Sequence, residues 1–199
     1  MRVAFGVRTM DKNAQAAAES TSPKAFLSDV KAVRERARQN IDEGAVTPNY
    51  PIDAKAVCEM LNGALATELV CVLRYKRHYF TAEGIESEGV KAEFKAHAAE
   101  EQGHADQLAK RIVELGGSPN LDPAGLATRS HSEYVAGTTL REMIKEDLIA
   151  ERIAIETYRE MINWLGDRDS TTRTMLEGIL ALEEEHADDM SSLLKGLRD

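Results

Sequence analysis

One acidic-histidine motif occurs twice in this chain. Glu-x-x-His-Ala-Asp spans Glu101 to Asp106 and again Glu183 to Asp188, 82 residues further on. A glutamate precedes each copy at nearly equal distance, Glu68 by 33 residues and Glu151 by 32. Each of these glutamates is followed seven residues later by a tyrosine, Tyr75 and Tyr158. The repeated unit is therefore long enough to be a pair of helices. Glutamate and histidine at i and i+3 project from one helix face, so each copy presents a carboxylate and an imidazole together.

The rest of the pattern fits two such hairpins. From Asp53 to about Ala82, Val57, Leu61, Leu65, Leu69 and Val72 recur on one side of a helix, and Gly84 ends it. A second helix runs from about Ser87 to Leu115 and closes at Gly116-Gly117. A proline- and glycine-containing connection, "GSPNLDPAGLATRSHSEYVAG", follows; its length is unusual inside a compact domain. Thr139 and Glu142 then offer a capping box for a third helix reaching about Leu165, "GDRD" turns the chain, and a fourth helix runs almost to the end. Hairpin, long crossover, hairpin predicts an all-α four-helix bundle in up-down-down-up order. Ahead of it, residues 1–21 read as a mobile tail. An amphipathic helix begins at Ser22 and Pro23, with Val30, Val33, Ala37 and Ile41 on its apolar side. The division expected is a tail and helix over 1–50 and the bundle over 51–199.

Composition supports this and excludes other classes. Aromatic residues make up 5% and charged residues 30%, which suits helices better than a sandwich or barrel. No unbroken apolar run approaches the roughly 18 residues of a membrane span, and the N-terminus lacks a signal-type apolar segment. The expected compartment is the cytoplasm, with no membrane partner. Cys58 and Cys71 lie too far apart along one helix to bond to each other, in keeping with a reducing environment. The net charge is −9, yet residues 1–38 hold eight Lys/Arg against four Asp/Glu. An acidic body favours cations over nucleic acid.

Glu68, Glu101, His104, Glu151, Glu183 and His186 are the candidate metal ligands. Four carboxylates and two imidazoles are the donor set of di-iron and di-manganese carboxylate bundles. The four negative charges balance two divalent cations, and without cations buried carboxylates repel one another. Oxygen donors with some imidazole suit iron(II) or manganese(II). Tyr75 and Tyr158 are expected in the core with their hydroxyls bonded to ligand carboxylates. Asp147, one turn before Glu151, is expected to bond a ligand histidine's free nitrogen, with Asp106 and Asp188 as weaker candidates. His97 is a candidate accessory metal residue, His78 and His131 are expected at the surface, and Cys71 as a buried inert thiol.

The segments "LNGALATELVCVLRY", "AAEEQGHADQLAKRIVELGGSPNL", "EDLIAERIAIETY" and "ALEEEHADDM" resemble bacterioferritins and related ferritin-like proteins over roughly residues 53–197. The resemblance includes all six ligand positions. It implies an intrasubunit ferroxidase centre holding two iron ions per subunit. The protein would then oxidise iron(II) with dioxygen or peroxide and store ferric mineral in a homo-oligomeric shell. Bacterioferritins carry haem on a methionine directly after the first motif glutamate; Gln102 stands there, so no haem is expected. Thirteen residues follow His186, which leaves no room for the short fifth helix of 24-subunit ferritins and favours the twelve-subunit shell of Dps-type proteins. The rival readings are a di-metal oxidase or peroxidase without a mineral core, and a Dps-like protein that protects DNA through the basic arm. The modest charge of that arm makes DNA the less favoured partner.

Overall fold

The computed structural model describes residues 29–197. Helix α1 covers Val30–Arg36, α2 Ala54–Thr81, α3 Ser87–Glu114, α4 Leu126–Arg129, α5 Leu140–Leu165 and α6 Ser170–Gly196. A single 3₁₀ turn, Ile41–Glu43, follows α1. The four long helices carry nearly all of the core.

Their starts follow from capping chemistry. Asp53 accepts the Lys55 backbone N–H, Asp169 accepts that of Thr172, and Thr139 and Glu142 form the expected reciprocal box at the head of α5. Each cap satisfies a donor that the first helical turn leaves unpaired. Helix α3 ends differently. Gly116 adopts φ +79°, a left-handed conformation that glycine tolerates without strain. At Gly117 a β-carbon would stand 2.6 Å from Cys58 Sγ, so the chain returns over α2 only because no side chain is there.

Residue pairings fix the helix directions. Tyr75 meets Phe94 and Glu68 meets His104, so α2 and α3 are antiparallel. Tyr75 bonds Glu151 while Tyr158 bonds Glu68, which makes α2 and α5 antiparallel too. Glu151 meets His186 and Arg159 meets Glu184 across α5 and α6. The order is up, down, down, up, with the 115–139 connection running the length of the bundle. Apolar clusters flank the middle on both sides. Leu61, Leu65, Leu108, Ile112, Leu165, Leu176 and Ile179 fill one end; Tyr75, Phe94, Ile144 and Met190 anchor the other. Each fully buried aliphatic or aromatic side chain contributes about 1.5–3 kcal/mol relative to exposure. The slab between them is polar.

Several expectations need correction. Helix α1 ends at Arg36 rather than Ile41, and Val30, Val33 and Ile41 are exposed, so its apolar stripe is left uncovered among the described residues. The expected tail over 1–21 and the helix start at Ser22 and Pro23 lie outside the described residues. Helix α2 contains an 18-residue window with mean hydropathy 1.6, apolar enough in composition to cross a bilayer. Its buried face, however, carries Glu68, Arg74 and His78 among its core residues, and most of that window is packed inside the bundle.

Candidate metal centre

All six predicted ligands converge in the middle of the bundle, each 2% exposed or less. Glu68 comes from α2, Glu101 and His104 from α3, Glu151 from α5, and Glu183 and His186 from α6. Their donor atoms form two overlapping groups, one of Glu68, Glu101, His104 and Glu183, the other of Glu101, Glu151, Glu183 and His186. Within each group the atoms lie within 4.8 Å of one another.

Glu101 and Glu183 belong to both groups and present one oxygen to each. His104 Nδ1 lies 3.3 Å from Glu101 Oε2, 2.9 Å from Glu183 Oε1 and 3.5 Å from Glu68 Oε2. His186 Nδ1 lies 3.5 Å from Glu101 Oε1, 3.8 Å from Glu183 Oε2 and 4.0 Å from Glu151 Oε2. Glu101 and Glu183 thus have the disposition of bridging carboxylates, and Glu68 and Glu151 that of terminal ones. The tyrosines lock the terminal pair crosswise: Tyr158 donates to Glu68 Oε1 and Tyr75 to Glu151 Oε1. One oxygen of each terminal carboxylate is held, and the other is left facing its histidine.

The protein alone leaves much of this cluster without partners. Glu68 Oε2, Glu101 Oε1, Glu151 Oε2, both Glu183 oxygens, His104 Nε2 and His186 Nδ1 are buried without a hydrogen-bond partner. Each such group forfeits about 1–3 kcal/mol of solvation. Burial, with the charge of Glu101, pushes the Glu68 carboxyl up to about 8, and pushes Glu183 well above the carboxylate range. Burial works against charging the histidines, but bonds to Glu101 and Glu68 hold His104 up to about 10. The Glu101 bond and the Glu151 charge hold His186 up to about 9. Against its own burial, Glu101 is kept low by the bonds from Glu68, His104 and His186. Oxygen donors with two imidazoles fit two divalent cations of the iron(II) or manganese(II) kind.

Around this cluster the expectations divide. Tyr75 and Tyr158 bond the candidate ligand carboxylates Glu151 and Glu68 as expected. Asp147 bonds no ligand histidine; it accepts from Arg74 Nε at 2.9 Å and pairs with His78 Nδ1 at 2.8 Å. The reason is direction: one turn from Glu151 leads toward the end of the bundle where Arg74 and His78 project, away from α3 and α6. His78 is accordingly fully buried rather than at the surface, its Nε2 bonded to the Ala136 carbonyl. His131 is exposed as expected, over Gly63. Asp106 and Asp188 are exposed and touch no ligand. Cys71 is buried beneath Arg74, and burial pushes its thiol well up, as suits an inert group. Cys58 is buried and, like Cys71, free.

Two neighbours of the cluster escaped sequence reasoning. Glu100 has no place in the repeated spacing, yet its Oε2 accepts from His186 Nε2 at 2.8 Å and orients that ring. Arg74 ties Asp147 to Ser132 and the Glu133 carbonyl of the crossover. Only the doubled acid at 100–101 hinted at the first. His97, a candidate by spacing, stacks on His186 with ring centroids 4.1 Å apart.

The ferritin family's sequence profile, described as a ferritin-like domain, matches residues 58–199. The chain belongs to the ferritin-like family. Among the relatives of this ferritin-like protein is a nutrient stress-induced DNA-binding protein of a Synechococcus species. It is 36% identical over 136 residues, which is 66% of this chain and 76% of the relative. A bacterioferritin of Rhodobacter capsulatus is 31% identical over 140 residues, 68% of this chain and 80% of the relative. Among solved structures, a bacterioferritin-related protein of Bacteroides fragilis, described as a dodecameric thioferritin, superposes with a TM-score of 0.70. The two are 34% identical, over 72% of this chain and 87% of that one.

Proposed function

We propose that this ferritin-like protein oxidises iron(II) at an intrasubunit di-metal centre built by Glu68, Glu101, His104, Glu151, Glu183 and His186, and stores the ferric product in a homo-oligomeric shell. The observation that carries the reading is the pair of overlapping donor groups, each with one terminal carboxylate, one imidazole and two shared carboxylates. Iron(II) is the substrate. Two ions held side by side supply two electrons together, which suits dioxygen or peroxide as acceptor.

The chain's own residues supply charge and order. Four carboxylates balance two divalent charges, and the carboxyl protons of Glu68 and Glu183 and the imidazolium protons leave as iron binds. Tyr75 and Tyr158 keep the terminal carboxylates from rotating away, and Glu100 fixes the plane of His186. Gln102 offers no thioether for haem, so the chemistry is assigned to the non-haem centre. Manganese(II) fits the same donors. For the shell, twelve subunits is the favoured number, in line with the dodecamer described for the Bacteroides fragilis relative, and the cytoplasm is the compartment.

Stepwise aerobic additions of iron(II), followed by desalting and iron analysis, test this reading, with Glu101→Ala run in parallel. Retention far beyond two ions per subunit, together with slow oxidation by the variant, supports storage that begins at the centre. Saturation near two would favour a di-metal oxidase without mineral storage. A DNA-associated role is the second reading, favoured by the DNA-binding relative and by the basic residues of 1–38. Retention of DNA that falls steeply with salt and disappears on deletion of 1–38 would support it.

A further inference from the structure

The stretch of crossover over α2 is held by side chains. Residues 131–136 form no backbone-to-backbone hydrogen bond among the described residues, and Tyr134 and Val135 are exposed, so apolar burial adds little there. Helix α2 supplies the fastenings. Thr67 Oγ1 accepts from the His131 N–H at 2.9 Å. Arg74 donates to Ser132 Oγ at 3.3 Å and to the Glu133 carbonyl at 3.1 Å. The Ala136 carbonyl faces Arg77 at 3.0 Å and His78 Nε2 at 2.8 Å.

The His78 fastening depends on a proton. The ring is fully buried, and its two nitrogens face the Ala136 carbonyl and Asp147 Oδ2, each at 2.8 Å. A carbonyl and a carboxylate only accept. A neutral imidazole has one N–H and one lone pair, so either tautomer would aim its lone pair at an oxygen. The imidazolium alone satisfies both contacts.

The surrounding charges select which proton can leave. On its own helix His78 has Arg74 and Arg77 for neighbours; α5 contributes Asp147, α3 the uncharged Phe94 ring and the crossover the Ala136 carbonyl. Arginine keeps its charge throughout the accessible pH range, whereas histidine changes charge near neutrality. Loss of one His78 proton leaves Arg74 and Asp147 as a matched pair at 2.9 Å. The remaining proton stays on Nδ1, where the bond to a carboxylate is the stronger one. Nε2 then turns a lone pair on the Ala136 oxygen.

We propose that His78 is a proton-operated catch for the crossover: the imidazolium holds residues 132–136 against α2, and the neutral ring lets the Ala136 end lift. The catch does not rest on the proposed oxidation chemistry. Its reach extends toward the centre, because the same stretch bonds Thr67, the residue before Glu68. The repeat puts Met161 at the position of His78, so the second hairpin has no equivalent.

Hydrogen–deuterium exchange on the assembled protein tests the catch, with the protection of residues 131–137 divided by that of 57–65 in the same helix. From about pH 6 to about pH 9, across the histidine range, this ratio should fall at least about tenfold in the wild type, the scale of one lost charge-assisted hydrogen bond. In His78→Gln, which can donate to Ala136 and has no proton to lose, the ratio should stay flat. A general loss of stability lowers the reference segment too and cannot imitate the fall. A flat ratio in the wild type, or an equal fall in His78→Gln, would overturn the proposal. Neutron diffraction on wild-type crystals at about pH 6 gives a check that needs no variant. A deuteron is expected on both His78 nitrogens, and a deuteron on only one would overturn the proposal.

Discussion

The two hairpins of this bundle carry the same candidate ligands in different surroundings. In the first, His104 Nε2 is buried with no partner; in the second, His186 Nε2 is held by Glu100 and its ring is covered by His97. The position of Glu100 is occupied in the other hairpin by Leu182, which offers no acceptor. A second difference lies along the bundle axis. Asp147, Arg74 and His78 form a buried ionic network whose counterparts by the repeat are Ala64, Thr157 and Met161. The repeated residues converge in the middle of the bundle, and the unrepeated ones give that cluster a polar end and a different neighbour for each histidine.

Four substitutions or conditions would break or sharpen that contrast. The largest effect is expected from the shared carboxylates: Glu101→Ala removes a donor from both groups at once and should slow iron(II) oxidation by more than the 10–100-fold typical of outer-shell losses, measured by stopped-flow absorbance. Next comes Asp147→Ala, which strands the Arg74 charge in the core. It should destabilise the fold by about 3–5 kcal/mol in denaturant unfolding. Arg74→Met/Asp147→Leu, which copies the apolar character of the other end, should recover most of that loss.

Proton linkage gives a third test. His104 and His186 are held above their ordinary pKa, to about 10 and about 9, so the stability they lend is complete below about 6.5 and is lost as pH rises through those values. Glu68, pushed up to about 8, resists ionisation in the folded state, and this cost also grows as pH rises from about 4.3 to 8. Both trends have one sign. The metal-free protein should lose melting temperature steadily from pH 6.5 to 9, whereas metal-loaded protein should change much less. The smallest effect is expected from Asp106→Ala and Asp188→Ala, both exposed, which should stay within about 0.5 kcal/mol of wild type and leave oxidation unchanged.

The legible part of this molecule was the part written twice. Glu-x-x-His with its distant glutamate and trailing tyrosine pointed to six side chains that do converge, and to two hydroxyls that bond two of them, because helix periodicity turns spacing into direction. Asp147 was read by the same rule and misplaced. Spacing puts it on the face of Glu151, yet the axial step of one turn carried it past the histidines to Arg74 and His78. His78 seemed a surface residue because nothing in α2 shows that the crossover folds back to bond it at Ala136. The role of Glu100 depends on how α3 meets α6, a contact between segments far apart in the chain that no single-helix pattern encodes. The exposed apolar stripe of α1 is the converse case: the periodicity is real, and its packing partner is not within the described chain.

Anaerobic iron(II) soaking of crystals, followed by anomalous diffraction at the iron edge, addresses the di-metal centre most directly. Two peaks inside each subunit are expected, one among Glu68, Glu101, His104 and Glu183 and one among Glu101, Glu151, Glu183 and His186. A subunit interior without iron, or iron held only between subunits, would contradict the assignment of these six residues as the oxidation site.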